Sequence, residues 1–319
     1  MRRADLIIFL MVSLGFAACK NSEDDIEKNN DTNFDSGIDA GDSGPVNDVD
    51  SGFGDDGGTS DLQSAGCGKG KPFDSLEEQT FDLNGESRKY AVYIPSKYTG
   101  ETPLVPLFLF HGAGAQWHED RKYFGINWEQ TVKEKAIIVY AEAAKSRDWV
   151  WCAEKPEEEC DDFDYFDILL KKIKDDFCVD PRKVIISGFS RGGGMVNSLR
   201  CLRPEKISGA APVAGWQVHI DKCKKAIPVW MAHAQNDSAV PWEPTGGYTG
   251  GLDAFNAILK SNGCNGVDDY EKTGPYPDDT SDKWCRAYNG CDAPFTYCDH
   301  ADDHHYPEWA PLAIWKFFF

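Results

Sequence analysis

Five short apolar runs recur in the C-terminal three-quarters of this chain: Val105–Phe110 (VPLFLF), Ile137–Tyr140 (IIVY), Val184–Ser187 (VIIS), Gly209–Val213 (GAAPV) and Val229–Ala232 (VWMA). Each is too short for a buried helix and lacks the alternation of a strand with one wet face, so each reads as a strand covered on both sides. Tyr90–Pro95 (YAVYIP) alternates, as a strand does. Between the runs lie helical patterns. Phe163, Phe166, Leu170, Ile173 and Phe177 share one face of a helix, another helix follows Ser187 and runs through Arg200, and a last one spans Trp309–Phe318. Strands buried on both faces and separated by helices predict an α/β fold: one mostly parallel sheet with helices on both faces.

The chain has 319 residues, enough for one large core or two modest ones. Its net charge of -20 argues against a nucleic-acid partner, because phosphate binding needs a surplus of Lys and Arg. Much of that charge is local. Residues 20–66 hold 13 acidic and two basic side chains among Gly, Ser and Asn, with DSGIDAGDSG and DVDSGFGDDGG as near-repeats. Such a segment buries too little apolar surface to offset its chain entropy, and it reads as a solvated tether spanning roughly 35–40 Å. The repeats lack the ligand spacing of an EF-hand loop, which sets a calcium reading aside.

Residues 1–19 read as an export signal. Arg2 and Arg3 precede an apolar run from Leu6 to Phe16, too short to span a bilayer comfortably, and Ala17-Ala18-Cys19 follows. The small residues before a cysteine resemble the lipobox of bacterial lipoproteins, although Phe16 stands where Leu is usual. The resemblance implies lipidation of Cys19, a membrane contact through that anchor alone, and, with Lys20 rather than Asp next in line, an outer membrane. An ordinary secretory signal is the alternative. Export makes disulfides plausible, and ten cysteines remain after Cys19, an even number compatible with five bridges. Cys152 and Cys160 are the expected local pair, since the insert between them is short and polar. Without a CxxC pair a zinc ribbon is not expected.

The chemistry centres on Gly188-Phe189-Ser190-Arg191-Gly192, between a strand and a helix. A nucleophilic serine must stand exposed on a sharp strand-to-helix turn, and small neighbours let the two elements approach. A serine hydroxyl needs an imidazole to take its proton and a carboxylate to orient that imidazole. Where such an elbow is used, acid and base follow in chain order. Asp237, in the loop after Val229–Ala232, is the expected acid. The base is one of His300, His304 and His305. The same short loop read as a metal site lacks defined ligand spacing. The oxyanion needs two N–H donors. These are expected to be the backbone of Arg191 and that of Ala113, in the loop Phe110-His111-Gly112-Ala113-Gly114, with His111 bracing the loop.

Taken together, FHGAGA (110–115), CVDPRKVIISGFSRGGGM (178–195), PVAG (212–215), HAQNDSAVPW (233–242), NGC (262–264) and HHYPEWAPLAIWKFF (304–318) resemble secreted esterases of the feruloyl esterase and polyhydroxybutyrate depolymerase-like group. The pieces span most of residues 67–319 in the family's order. The resemblance implies the α/β-hydrolase fold for that region, with Ser190, Asp237 and His304 as the triad. There the histidine stands three residues before a Pro, as His304 does before Pro307, and the acid three before a Val-Pro. It further implies two-step hydrolysis of feruloyl or acetyl esters of plant-wall polysaccharide, or of short polyesters, with no metal or organic cofactor. The departures are HAQND in place of HG-x-x-D, the acidic stretch EKPEEECDD, and Tyr306 in place of a frequent Trp. They leave the triad intact and bear on the substrate. Trp149, Trp151 and Trp242 line a substrate pocket or fill the core; the sequence leaves both open. A polyester depolymerase and a serine peptidase use the same triad, whereas a non-catalytic binding protein on this scaffold would lack a member of it.

Overall fold

In the computed structural model, residues 63–144, 148–149, 160–217, 222–223, 225–246, 249–273, 284–300 and 302–319 are described. Cys19, the export signal and nearly all of the tether lie outside them, as do Trp151 and Cys152. One ten-stranded sheet forms the centre, in the order β1-β2-β4-β3-β5-β6-β7-β10-β9-β8. Its strands are β1 (Gln79–Leu83), β2 (Glu86–Tyr93), β3 (Val105–Phe110), β4 (Ala136–Ala141), β5 (Ile185–Phe189), β6 (Gly209–Val213), β7 (Val229–Ala232), β8 (Tyr270–Thr273), β9 (Trp284–Tyr288) and β10 (Phe295–Asp299). The strands from β4 through β10 in that order are mutually parallel. Antiparallel pairs close both margins, β1 and β2 on one side and β9 and β8 on the other.

The apolar runs alternate between two cores because both faces are covered. In β3, Phe108 and Phe110 join a core with Phe163, Phe166 and Leu170 of α3 (Asp161–Asp176) and Leu199 of α4 (Arg191–Leu202). Leu107 and Leu109 face the other way, with Trp128 of α2 (Ile126–Val132) and Ile314 of the C-terminal helix (Ala310–Phe318). β4 divides likewise, Ile137 and Val139 to the first core and Ile138 and Tyr140 to the second. Every residue of both strands is buried, which is why these segments carry no polar alternation. This is the mostly parallel sheet with helices on both faces that the apolar runs predict, and the α/β fold that the family resemblance implies.

Four disulfides are formed among the described residues: Cys67–Cys178, Cys201–Cys223, Cys264–Cys291 and Cys285–Cys298. The last joins register partners on β9 and β10. Cys160 is also disulfide-bonded. No described helix is long and apolar enough to cross a membrane.

Candidate active site

Parallel strands end on a common edge, and loops leaving that edge meet above it. Three of them bring together residues far apart in sequence. Ser190 follows β5 and begins α4 with φ 54° and ψ -115°, a conformation rarely adopted by a residue with a side chain. Its own N–H donates to the Val213 carbonyl at 2.9 Å, and its carbonyl accepts the Gly194 N–H at 3.0 Å, so both sides of the turn are pinned. The flanking glycines are steric requirements. A Cβ on Gly188 would sit 2.5 Å from the Gly192 carbonyl oxygen. One on Gly192 would run into the Phe110 carbonyl and lie 2.6 Å from that of His111.

His304 reaches this turn from the loop after β10. Its Nε2 lies 2.9 Å from Ser190 Oγ, and its Nδ1 lies 2.8 Å and 3.0 Å from the two Asp237 carboxylate oxygens. With Nδ1–H given to the carboxylate, Nε2 is left to accept the serine proton. Asp237, in the loop after β7, also accepts the N–H groups of Ala239 at 2.9 Å and Val240 at 2.7 Å. Burial alone would raise this carboxyl; the His304 hydrogen bond and the Val240 N–H outweigh it and hold it below the ordinary carboxylate value. His233 packs behind, donating from Nε2 to the Val240 carbonyl at 2.8 Å, and burial lowers its pKa, which keeps it neutral.

The three candidate histidines occupy three environments. His305 turns Nδ1 to the Tyr123 hydroxyl at 2.7 Å. His300 is buried, and among the described residues neither ring nitrogen has a hydrogen-bond partner. Among the described residues no three His, Cys, Asp or Glu side chains are placed to hold a metal ion.

The loop after β3 is held by buried groups. His111 is 1% exposed. Its Nε2 accepts the Ala143 N–H at 3.0 Å, and its Nδ1–H donates to the Gly112 carbonyl at 2.7 Å, so it braces the loop as expected. The Gly112 N–H donates to Asp120 at 3.0 Å. Among the described residues the next N–H, that of Ala113, meets no protein acceptor. Trp149 is a core residue and not a pocket wall: it is fully buried, and its indole N–H donates to the His111 carbonyl at 2.9 Å. Trp242 stacks on Tyr297 at 5.2 Å and meets His233 edge-on, supporting the acid loop from below. In both cases, the one ring fully buried and the other partly so, an aromatic finds a scaffold role that spacing alone does not reveal.

Two groups went unread in the sequence. Asp120 ends α1 (Trp117–Asp120), some 70 residues before Ser190. Tyr123 lies in the π-helical turn that follows (Arg121–Gly125). A one-turn π segment carries no distinct sequence signature, although such turns gather at functional sites.

Comparison with known proteins places this geometry in context. The chain is 26% identical over 277 residues to feruloyl esterase D of Neurospora crassa, covering 80% of this chain and 89% of that one. It is 25% identical over 271 residues to feruloyl esterase C of Emericella nidulans, covering 80% and 90%. No family model matches. Among solved structures it resembles acetyl xylan esterase from Aspergillus awamori, with a TM-score of 0.57, 11% identity and coverage of 76% of this chain and 100% of the other. It also resembles a thermostable esterase, with a TM-score of 0.53, 17% identity and coverage of 76% and 62%. The fold is that of the α/β-hydrolases, and the sequence relatives are feruloyl esterases.

Proposed function

We propose that this protein is an exported serine esterase with Ser190 as nucleophile, His304 as general base and acid, and Asp237 as the orienting carboxylate. The chain is a carboxylic ester hydrolase, and its substrates are feruloyl or acetyl esters of plant-wall polysaccharide, or short polyesters. The observation that carries the reading is the unbroken line of hydrogen bonds from Asp237 through His304 to Ser190.

The sequence of events follows from the atoms. Nε2 of His304 takes the proton as Ser190 Oγ attacks the ester carbonyl, and Asp237 stabilises the imidazolium that forms. The N–H groups of Ala113 and Arg191 receive the oxyanion. Collapse of the tetrahedral intermediate expels the alcohol, which takes its proton from His304, and leaves an acyl group on Ser190. Water, activated by the same imidazole, releases the acid. The hydrolase domain, residues 67–319, is carried on the acidic tether, and lipid on Cys19 anchors that tether at the cell envelope.

The test is a hydrolysis panel of methyl ferulate, acetylated xylan, short nitrophenyl esters and hydroxybutyrate oligomers, with Ser190→Ala alongside. Expected is turnover of at least one class by the wild type and near-complete loss in the variant. Activity of Ser190→Ala within tenfold of wild type overturns the nucleophile. Equal turnover of matched amide substrates would make the protein a peptidase.

A further inference from the structure

The short segment between the β3 loop and α2 touches the site twice. Asp120 is only 7% exposed, and its Oδ2 accepts the Gly112 N–H at 3.0 Å. Three residues later the Tyr123 hydroxyl accepts the Tyr306 N–H at 3.1 Å, which leaves its own proton to donate to His305 Nδ1. One segment therefore grips both the loop that carries Ala113 and the loop that carries His304. We infer that Asp120 is a positioning residue for acyl transfer, fixing the Gly112 peptide so that the adjacent Ala113 N–H is held for the developing oxyanion, while Tyr123 holds the His304 loop. This inference rests on the proposed esterase mechanism.

The reasoning is one of cost. A carboxylate buried without a cation is unfavourable, and among the described residues no cation pairs with Asp120. Satisfying one glycine N–H does not require it, since a neutral amide or a carbonyl would do. What a carboxylate adds is a stronger, charge-assisted hydrogen bond that resists displacement of the peptide. An oxyanion donor must sit within a few tenths of an ångström of its place before the charge develops. The loop is buttressed further along by two more carboxylates: Glu119 accepts the Gln116 N–H at 2.8 Å and Glu142 accepts the Trp117 N–H at 3.2 Å. Asp120 is the one that meets the loop next to the proposed donor.

The groups around Asp120 make its charge sensitive to pH. Glu119 shares its helix, Tyr123 lies on the next turn, Tyr306 approaches from the His304 loop, and the Gly112 N–H faces it from the β3 loop. Burial raises the carboxyl to about 7, Glu119 adds to that, and the Gly112 N–H opposes it. The hydrogen bond to Gly112 is thus strongest above neutrality and weakens as the group protonates.

The test uses the full chain, a short nitrophenyl ester and a trifluoromethyl ketone that mimics the tetrahedral intermediate. Asp120→Ala is expected to lower kcat roughly 10- to 100-fold, less than outright loss of an oxyanion donor. KM should stay within threefold, and ketone affinity should fall by the same factor as kcat/KM. Asp120→Asn keeps an acceptor oxygen but loses the charge, and should recover only part of the loss. Between pH 5.5 and 8 the wild-type fall in kcat/KM with acid should be steeper than a single ionisation, and Asp120→Asn should follow a single one. A kcat for Asp120→Ala within threefold of wild type, a loss carried by KM, or equal losses in both variants overturns the inference. If Asp120→Ala does not fold, Asp120→Asn decides: an acid limb as steep as the wild type's overturns the inference, and a single ionisation supports it. Ser190→Ala is assayed in parallel, so that residual turnover there would fell the acyl-transfer mechanism itself and be recognised as such.

Discussion

The Tyr123 hydroxyl lies 2.7 Å from Nδ1 of His305, and this contact separates two adjacent histidines that differ in sequence by one position. The His305 ring meets Tyr123 edge-on at 5.5 Å, whereas that of His304 spans Ser190 and Asp237.

His304→Ala should therefore cost about as much activity as Ser190→Ala, since residues acting as one unit lose their effect together. His305→Ala should retain activity within about tenfold, losing only one brace of the loop, because the Tyr306 N–H still holds Tyr123. The two single variants are compared on one ester. A dead His305→Ala beside an active His304→Ala would exchange the roles; two active variants would end the triad assignment.

The elbow itself gives a second prediction. Gly192 packs against the backbone of Phe110 and His111; the first ends the pairing of β3 with β5, and the carbonyl of the second is held by the Trp149 indole N–H. Gly192→Ala should destabilise the fold by about 3 kcal/mol or more, at the upper end of overpacking. It should also displace Ser190 from His304. Urea denaturation measures the first effect and ester turnover the second. An alanine variant of wild-type stability and activity would show that the approach is looser than described.

Much of this site was legible because chemistry there imposes local sequence. The serine turn needs its glycines in consecutive positions, and β3, β6 and β7 begin and end where their apolar runs do. β10 was missed although it places His304. Its residues, Phe295–Asp299, are too few and too mixed to stand out, and a parallel strand there is established by pairing with β7, not by its own pattern. Asp120 was equally hidden. A carboxylate on a short surface-like helix looks solvated until the chain folds Gly112 onto it. Trp149 and Trp242 show the reverse case, where a residue type suited to binding sugars is used to support loops.

Anchoring is tested at the other end of the chain. If Cys19 carries lipid, the full-length protein should partition into the detergent phase and Cys19→Ser into the aqueous phase, because several acyl chains hold firmly where none do. Mass spectrometry of the mature N-terminus checks the same point. An unmodified N-terminus elsewhere would leave a secreted enzyme with the same active site.

His300 stands just before the His304 loop. It is 3% exposed, and among the described residues neither ring nitrogen has a hydrogen-bond partner. Burial disfavours its charged form and lowers its pKa to about 4; Asp302 opposes this, and His233 and His305 add to it. In the unfolded chain a histidine titrates near 6.5. Above that value both states are neutral and the group contributes nothing. As pH falls from about 6.5 towards 4, the unfolded chain binds a proton that the folded protein refuses, so stability is lost. At pH 5 the loss is about 2 kcal/mol. Asp120 works in the opposite sense. Its folded-state value of about 7 lies above that of the unfolded chain, so it adds stability as pH falls through the same window. A pH series on the wild type alone would mix the two. His300→Leu removes one and leaves the other, which cancels in the comparison. Urea unfolding of both proteins at pH 8 and pH 5 should move the stability difference by about 2 kcal/mol in favour of the variant at the lower pH. A difference independent of pH would mean that His300 takes up its proton inside the folded protein and is not the uncharged buried side chain described.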